Sequence, residues 1–203
     1  MNPNQLENCE TRAVRTYFTD VDKATCDMLR ERYGDIVPPE RLRAMDEAPS
    51  QFDSPKEFRK AFRSETGEKA DAGVVGFTQS GTSAHISTKS LESVPGTVLH
   101  ERLHQLSDPK AEKILGHDRY EGMTEDLALK NLGHEPELGD PIAYPADRAR
   151  AHELRNAVGS EVLDRAYFQG DAEPLRRALD EKLRDMQSER IQSRLKGLEP
   201  LKS

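Results

Sequence analysis

Between positions 12 and 33, apolar side chains return every three or four residues (Val14, Tyr17, Phe18, Val21, Met28, Leu29), the spacing of one helical face, and Gly34 supplies a stop. Two shorter helices are predicted next, one in PPERLRAMDEA behind its prolines and one in SPKEFRKAFRSET behind Ser54 and Pro55. The period then shortens. DAGVVGFTQSGTSAHISTKS sets short runs rich in Val, Phe, Ile and Thr around QSGTS and predicts a β-hairpin, with strands near 73–78 and 83–88 and no other strand in the chain. Helical spacing resumes in SVPGTVLHERLHQLSDP, with Ser93 as cap and Asp108-Pro109 as stop. HDRYEGMTEDLALKNLG follows as a helix from Asp118 to a Gly133 cap, and HEPELGDPIAYP is a loop. The chain closes on three helices, PADRARAHELRNAVG, SEVLDRAYFQG and DAEPLRRALDEKLRDMQSERIQSRLKG, each stopped by Gly.

The expected fold class is α+β and mostly α-helical. A helical layer over 1–70 precedes a core over 71–134 that holds the hairpin, and a helical part over 135–203 packs on that core in a single compact domain. Leu175, Leu179, Leu183 and Met186 form a narrow stripe on the last helix, suited to the core or to a protein partner, while its other faces are charged.

Composition narrows the function classes. Charged residues make up 33% of the 203 positions, hydrophobic ones 34%, and there is no Trp, so a small core under a densely ionic surface is expected. A net charge of −7 argues against a nucleic-acid partner, since phosphate binding is driven by an excess of Lys and Arg. No apolar run approaches the roughly 20 residues a membrane span needs. The polar start MNPNQLENCE does not resemble a secretory signal, so the cytoplasm, or export without a Sec-type signal, is expected. Cys9 and Cys26 lack a CxxC partner or a nearby His cluster and read as buried free thiols, with a disulfide between them as the alternative in an oxidising compartment.

The chemistry concentrates in HERLH, residues 100–104. Side chains four apart on a helix project from one face, so His100 and His104 can reach one ion. Glu101, turned about 100° from His100, is placed to hold a water on that ion rather than to ligate it. A catalytic zinc needs a third protein ligand and an open position. YEGMTEDLA offers Glu121 and Glu125, again four apart on the next helix, where one can ligate while the other orients a histidine ring. Gly122 in mid-helix costs about 1 kcal/mol relative to Ala and implies the close approach of another backbone or of the metal helix.

HERLH followed by EGMTEDLA resembles the gluzincin branch of the zincin metallopeptidases, over about residues 93–132. The resemblance implies a zincin-like core with a strand beside the metal helix, and Zn2+ held by His100, His104 and Glu121. It makes Glu101 the general base and sets Glu125 in the place of the carboxylate that orients a ligand. Sixteen residues separate His104 from Glu121 and 20 separate it from Glu125, which keeps Glu125 as the alternative ligand. The implied activity is hydrolysis of peptide bonds in a peptide or protein, including an effector or toxin-type protease. The alternative is a helical interaction or regulatory protein built on a metallopeptidase-like core, using its C-terminal helix.

Tyr120, Tyr144 and His117 are the candidate donors to a developing oxyanion. The hairpin edge can take up an extended peptide as an added strand, and His85 on its second strand is expected to face solvent. HELRN, at 152–156, has Asn156 where a second His would be required and is not a second site.

Overall fold

A computed structural model describes residues 3–71, 73–78, 82–89, 92–133 and 144–196. The first helix, α1 (Pro3–Tyr33), begins well before its apolar stripe does, because Gln, Leu and Glu are good helix formers with or without a buried face. α2 (Pro39–Glu47) follows. α3 (Pro55–Thr66) opens on a reciprocal cap, in which Ser54 Oγ accepts from the Glu57 amide and the Glu57 carboxylate accepts from the Ser54 amide.

The hairpin forms but is shorter than its pattern predicts: β2 (Gly76–Phe77) pairs antiparallel with β3 (His85–Ser87). A strand that the pattern does not predict, β1 (Gln51–Asp53), pairs in parallel with β3 and makes it the centre of a sheet ordered β1-β3-β2. Three residues are too few for alternation to show, and the pairing depends on α3 carrying the chain across. His85 is consequently buried and does not face solvent. Its Nδ1 lies 2.7 Å from Asp53 Oδ2 on β1, its Nε2 lies 3.1 Å from Glu65 Oε1 on α3, and its ring stacks on Phe77.

α4 (Val94–Leu106) carries HERLH. Ser93 occupies its N-cap position without a side-chain capping bond. A short helix, α5 (Ala111–Leu115), fills the expected connector and leads to α6 (His117–Leu132), which ends on left-handed Gly133. The expected loop at 134–143 lies outside the described residues. α7 (Pro145–Val158), α8 (Ser160–Gln169) and α9 (Ala172–Lys196) complete the chain.

One apolar cluster runs through most of these helices, from Cys26 and Leu29 of α1 to Leu175 of α9. Its centre is Leu99, Leu103 and Leu106 of α4, Met123 and Leu127 of α6, and Leu163, Tyr167 and Phe168 of α8. Fully burying such side chains stabilises by about 1.5–3 kcal/mol each, so α4 is held along its length. A second cluster, of Phe18, Ala84, Ile86, Val94 and Val98, seals the sheet against α1 and the start of α4. Cys26 is a buried free thiol, and burial pushes its pKa up to about 11. The Cys9 side chain lies outside the described part. The α9 stripe divides: Leu175 and Leu179 join the core, whereas Leu183 and Met186 are exposed. Among the described residues, no helix is long and apolar enough to cross a membrane.

Candidate metal centre

One turn of α4 separates His100 from His104, and their Nε2 atoms face each other 3.0 Å apart. Glu121, one turn into α6, brings Oε2 to 3.4 Å from both. Donors around a tetrahedral ion with bonds of about 2.0–2.1 Å lie about 3.3–3.4 Å apart, so this triangle is close to one face of such a site. His100, His104 and Glu121 form a group that can hold a metal ion.

Glu125 stands elsewhere. Its Oε2 lies 3.0 Å from His100 Nδ1, the ring nitrogen turned away from the triangle. A carboxylate there fixes the ring and its tautomer, leaving Nε2 to ligate. His104 Nδ1 has no such partner among the described residues, and the Tyr120 ring packs against that imidazole instead.

His100 and Glu121 hold opposite charges within the cluster. Burial disfavours the His100 imidazolium, but hydrogen bonds to Glu121 and Glu125 outweigh it and raise the pKa to about 10. Burial pushes Glu121 upward, yet His100 and His104 outweigh that and hold its carboxyl well below the usual range. Without a metal, the site therefore keeps a proton on His100 between carboxylates.

Glu101 is buried beside the triangle and outside it. Cavities of about 460 and 530 Å³ lie on either side and share Val74, Gly76, His100, Glu101 and Tyr144 as lining. The wall opposite α4 is β2, the edge of the sheet. Ser87 donates its N–H to the Val75 carbonyl, and Gly76 stands opposite Ile86. Bonded and unbonded pairs alternate in an antiparallel ladder, so Gly76 turns its own N–H and C=O away from β3, along the free edge of the sheet.

The three donor candidates separate. The Tyr120 hydroxyl is engaged with Ser107 Oγ at 2.8 Å, and its pKa is raised mainly by burial. His117 is exposed and pairs with Glu112 at 2.9 Å. Tyr144 lines both cavities, and its ring lies over the His100 ring at 5.8 Å and 18°. Although the residue is 44% exposed, partial burial and the nearby carboxylates of Glu121, Glu101 and Glu125 raise its pKa to about 12, so its hydroxyl keeps its proton at neutral pH.

One positioning residue gives no signal in the helical pattern. Arg102, inside HERLH, is 1% exposed and binds both Asp22 oxygens on α1, at 2.9 and 2.5 Å. It also donates to the carbonyls of Met45 and Ala48 and to Gln105 Oε1. With α4 anchored on this side, the histidines face α6 on the other. Acidic residues on α1 are numerous, and nothing in the sequence singles out Asp22 as its partner.

Searches of family models, curated proteins and solved structures find no match.

Proposed function

We propose that this chain is a zinc-dependent metallopeptidase with a zincin-like core, cleaving within peptide chains. The observation that carries the proposal is the convergence of His100 Nε2, His104 Nε2 and Glu121 Oε2 beside the buried carboxylate of Glu101. Two imidazoles and one carboxylate suit zinc, and β2 beside α4 fits the zincin arrangement.

When bound, zinc lowers the pKa of a water toward 7 and polarises a carbonyl. Glu101 takes the proton from the attacking water and delivers it to the leaving amine. The Tyr144 hydroxyl donates to the oxyanion that forms on the carbonyl oxygen. Gly76 binds the extended substrate backbone through its outward N–H and C=O. A cavity on each side of Glu101 favours an internal segment of a chain. Neither lining includes a Lys or Arg, among the described residues, to hold a terminal carboxylate.

The test is metal analysis of the full chain after incubation with zinc, together with digestion of an unstructured protein such as casein. About one zinc per chain, lost in His100→Ala, and cleavage abolished in Glu101→Gln with zinc retained are the expected results. No bound zinc overturns the proposal. Bound zinc with no hydrolysis of any peptide overturns the peptidase and leaves the interaction-protein alternative.

A further inference from the structure

Gly122 follows Glu121 in α6 at the point where α7 crosses it. A Cβ built there would fall 2.0 Å from the Asp147 carbonyl oxygen, 2.2 Å from the Asp147 carbonyl carbon and 2.6 Å from the Arg148 nitrogen. All three are backbone atoms, which cannot swing aside as a side chain can. That same Arg148 N–H donates to the Tyr144 carbonyl at 2.9 Å, closing the first turn of α7. Contact at Gly122 is thus one hydrogen bond removed from the residue whose ring lies over His100.

Tyr144 is held in an unfavourable backbone state. It has φ 56° and ψ 47°, the one positive φ of a non-glycine among the described residues. A left-handed conformation disfavours a bulky side chain and persists where surrounding structure imposes it. Pro145 fixes the entry to α7 after it. Further along α7, Arg155 binds the buried Asp126 carboxylate of α6 at 2.5 Å. Arg148 of the first turn reaches the same carboxylate with its Nε at 3.4 Å, so α7 is tied to α6 on both sides of the contact, and a push at Gly122 falls on the 147–148 backbone and passes through the Arg148 N–H bond to Tyr144.

We infer that Gly122 is a positioning residue for Tyr144: the bare Cα of α6 lets the first turn of α7 settle against it and sets the phenol over the metal cluster. The inference rests on the zinc reading of the site and on Tyr144 as oxyanion donor. Mere close packing of α6 on α7 also calls for a glycine, so the test must separate the two.

A double-mutant cycle on the zinc-loaded full chain does this, with acetohydroxamate as the probe and calorimetry as the readout. A hydroxamate places anionic oxygen at the metal, where a phenol hydrogen bond is worth about tenfold in affinity. Tyr144→Phe and Gly122→Ala are each expected to weaken binding about tenfold with zinc content unchanged, and the double variant to be no weaker than either. Wild-type affinity in Gly122→Ala, or losses that add fully in the double variant, overturn the inference. Should Gly122→Ala fail to hold zinc, Pro145→Gly loosens the same turn without touching α6 and is expected to give the same non-additive cycle. Its additivity with Tyr144→Phe overturns the inference equally. A wild-type protein that binds no zinc overturns the metal reading first, and metal analysis tells that outcome from the others.

Discussion

His100 presents Nδ1 to Glu125 Oε2 at 3.0 Å while its Nε2 faces His104. The two glutamates of EGMTE therefore meet different atoms, and their variants should behave differently. Glu121→Gln is expected to abolish tight zinc binding, whereas Glu125→Gln weakens it about 10–100-fold, the usual cost of losing a carboxylate that orients a ligand. Zinc titration of both variants against a competing chelator measures this, and the reverse order would make Glu125 the ligand.

The proton on His100 makes metal binding depend on pH. Its pKa of about 10 in the metal-free protein means that zinc must displace a proton at neutral pH. Affinity should rise as pH is raised toward 10, and calorimetry at pH 7 in two buffers of different ionisation heat should show release of about one proton per zinc. Stability follows the same sign. A folded pKa raised above the unfolded value of about 6.5 contributes stability that is fully present below pH 6.5 and lost as pH climbs through about 10. Melting of the metal-free protein should fall across that window.

The pair of Arg102 with Asp22 is predicted to matter for folding more than for chemistry. Removing one partner of a buried ion pair leaves the other uncompensated, at a cost of about 3–5 kcal/mol. Asp22→Ala should lower the melting temperature by roughly 10 °C for a domain of this size, as read by thermal unfolding of the zinc-loaded protein. An unchanged melting temperature would show that α4 is held by its leucines alone.

Gly76 gives a test of Glu101 that leaves the metal ligands untouched. A Cβ at this position would lie 2.6 Å from Glu101 Oε1 and 2.6 Å from Thr97 Cγ2. Glu101 is the more flexible neighbour and must swing away. Gly76→Val is expected to keep zinc and lose about 100-fold in peptide cleavage, since about 1 Å of misplacement has that effect on a reacting group. Full activity in this variant would remove Glu101 from the role of base.

Much of this molecule was legible in local periodicity. The helices, the Gly caps and the hairpin follow from spacing, and HERLH puts two imidazoles on one face wherever that helix lies. The choice between Glu121 and Glu125 could not be read, because both lie on one face of α6. Which one meets Nε2 depends on the axial position of α6 against α4, set by packing around Leu103, Met123 and Leu127. Arg102 looks like an ordinary surface cation until α1 and α2 close over it, and His85 looks exposed until β1 pairs with β3. Gly122 marked a close approach, but only the fold names the Asp147 backbone as its neighbour. Which side chains share a helix face follows from local order alone, because it comes from a rotation repeated at every residue. Which faces meet, and at what height, emerges only on folding, because that depends on the burial of many distant side chains at once.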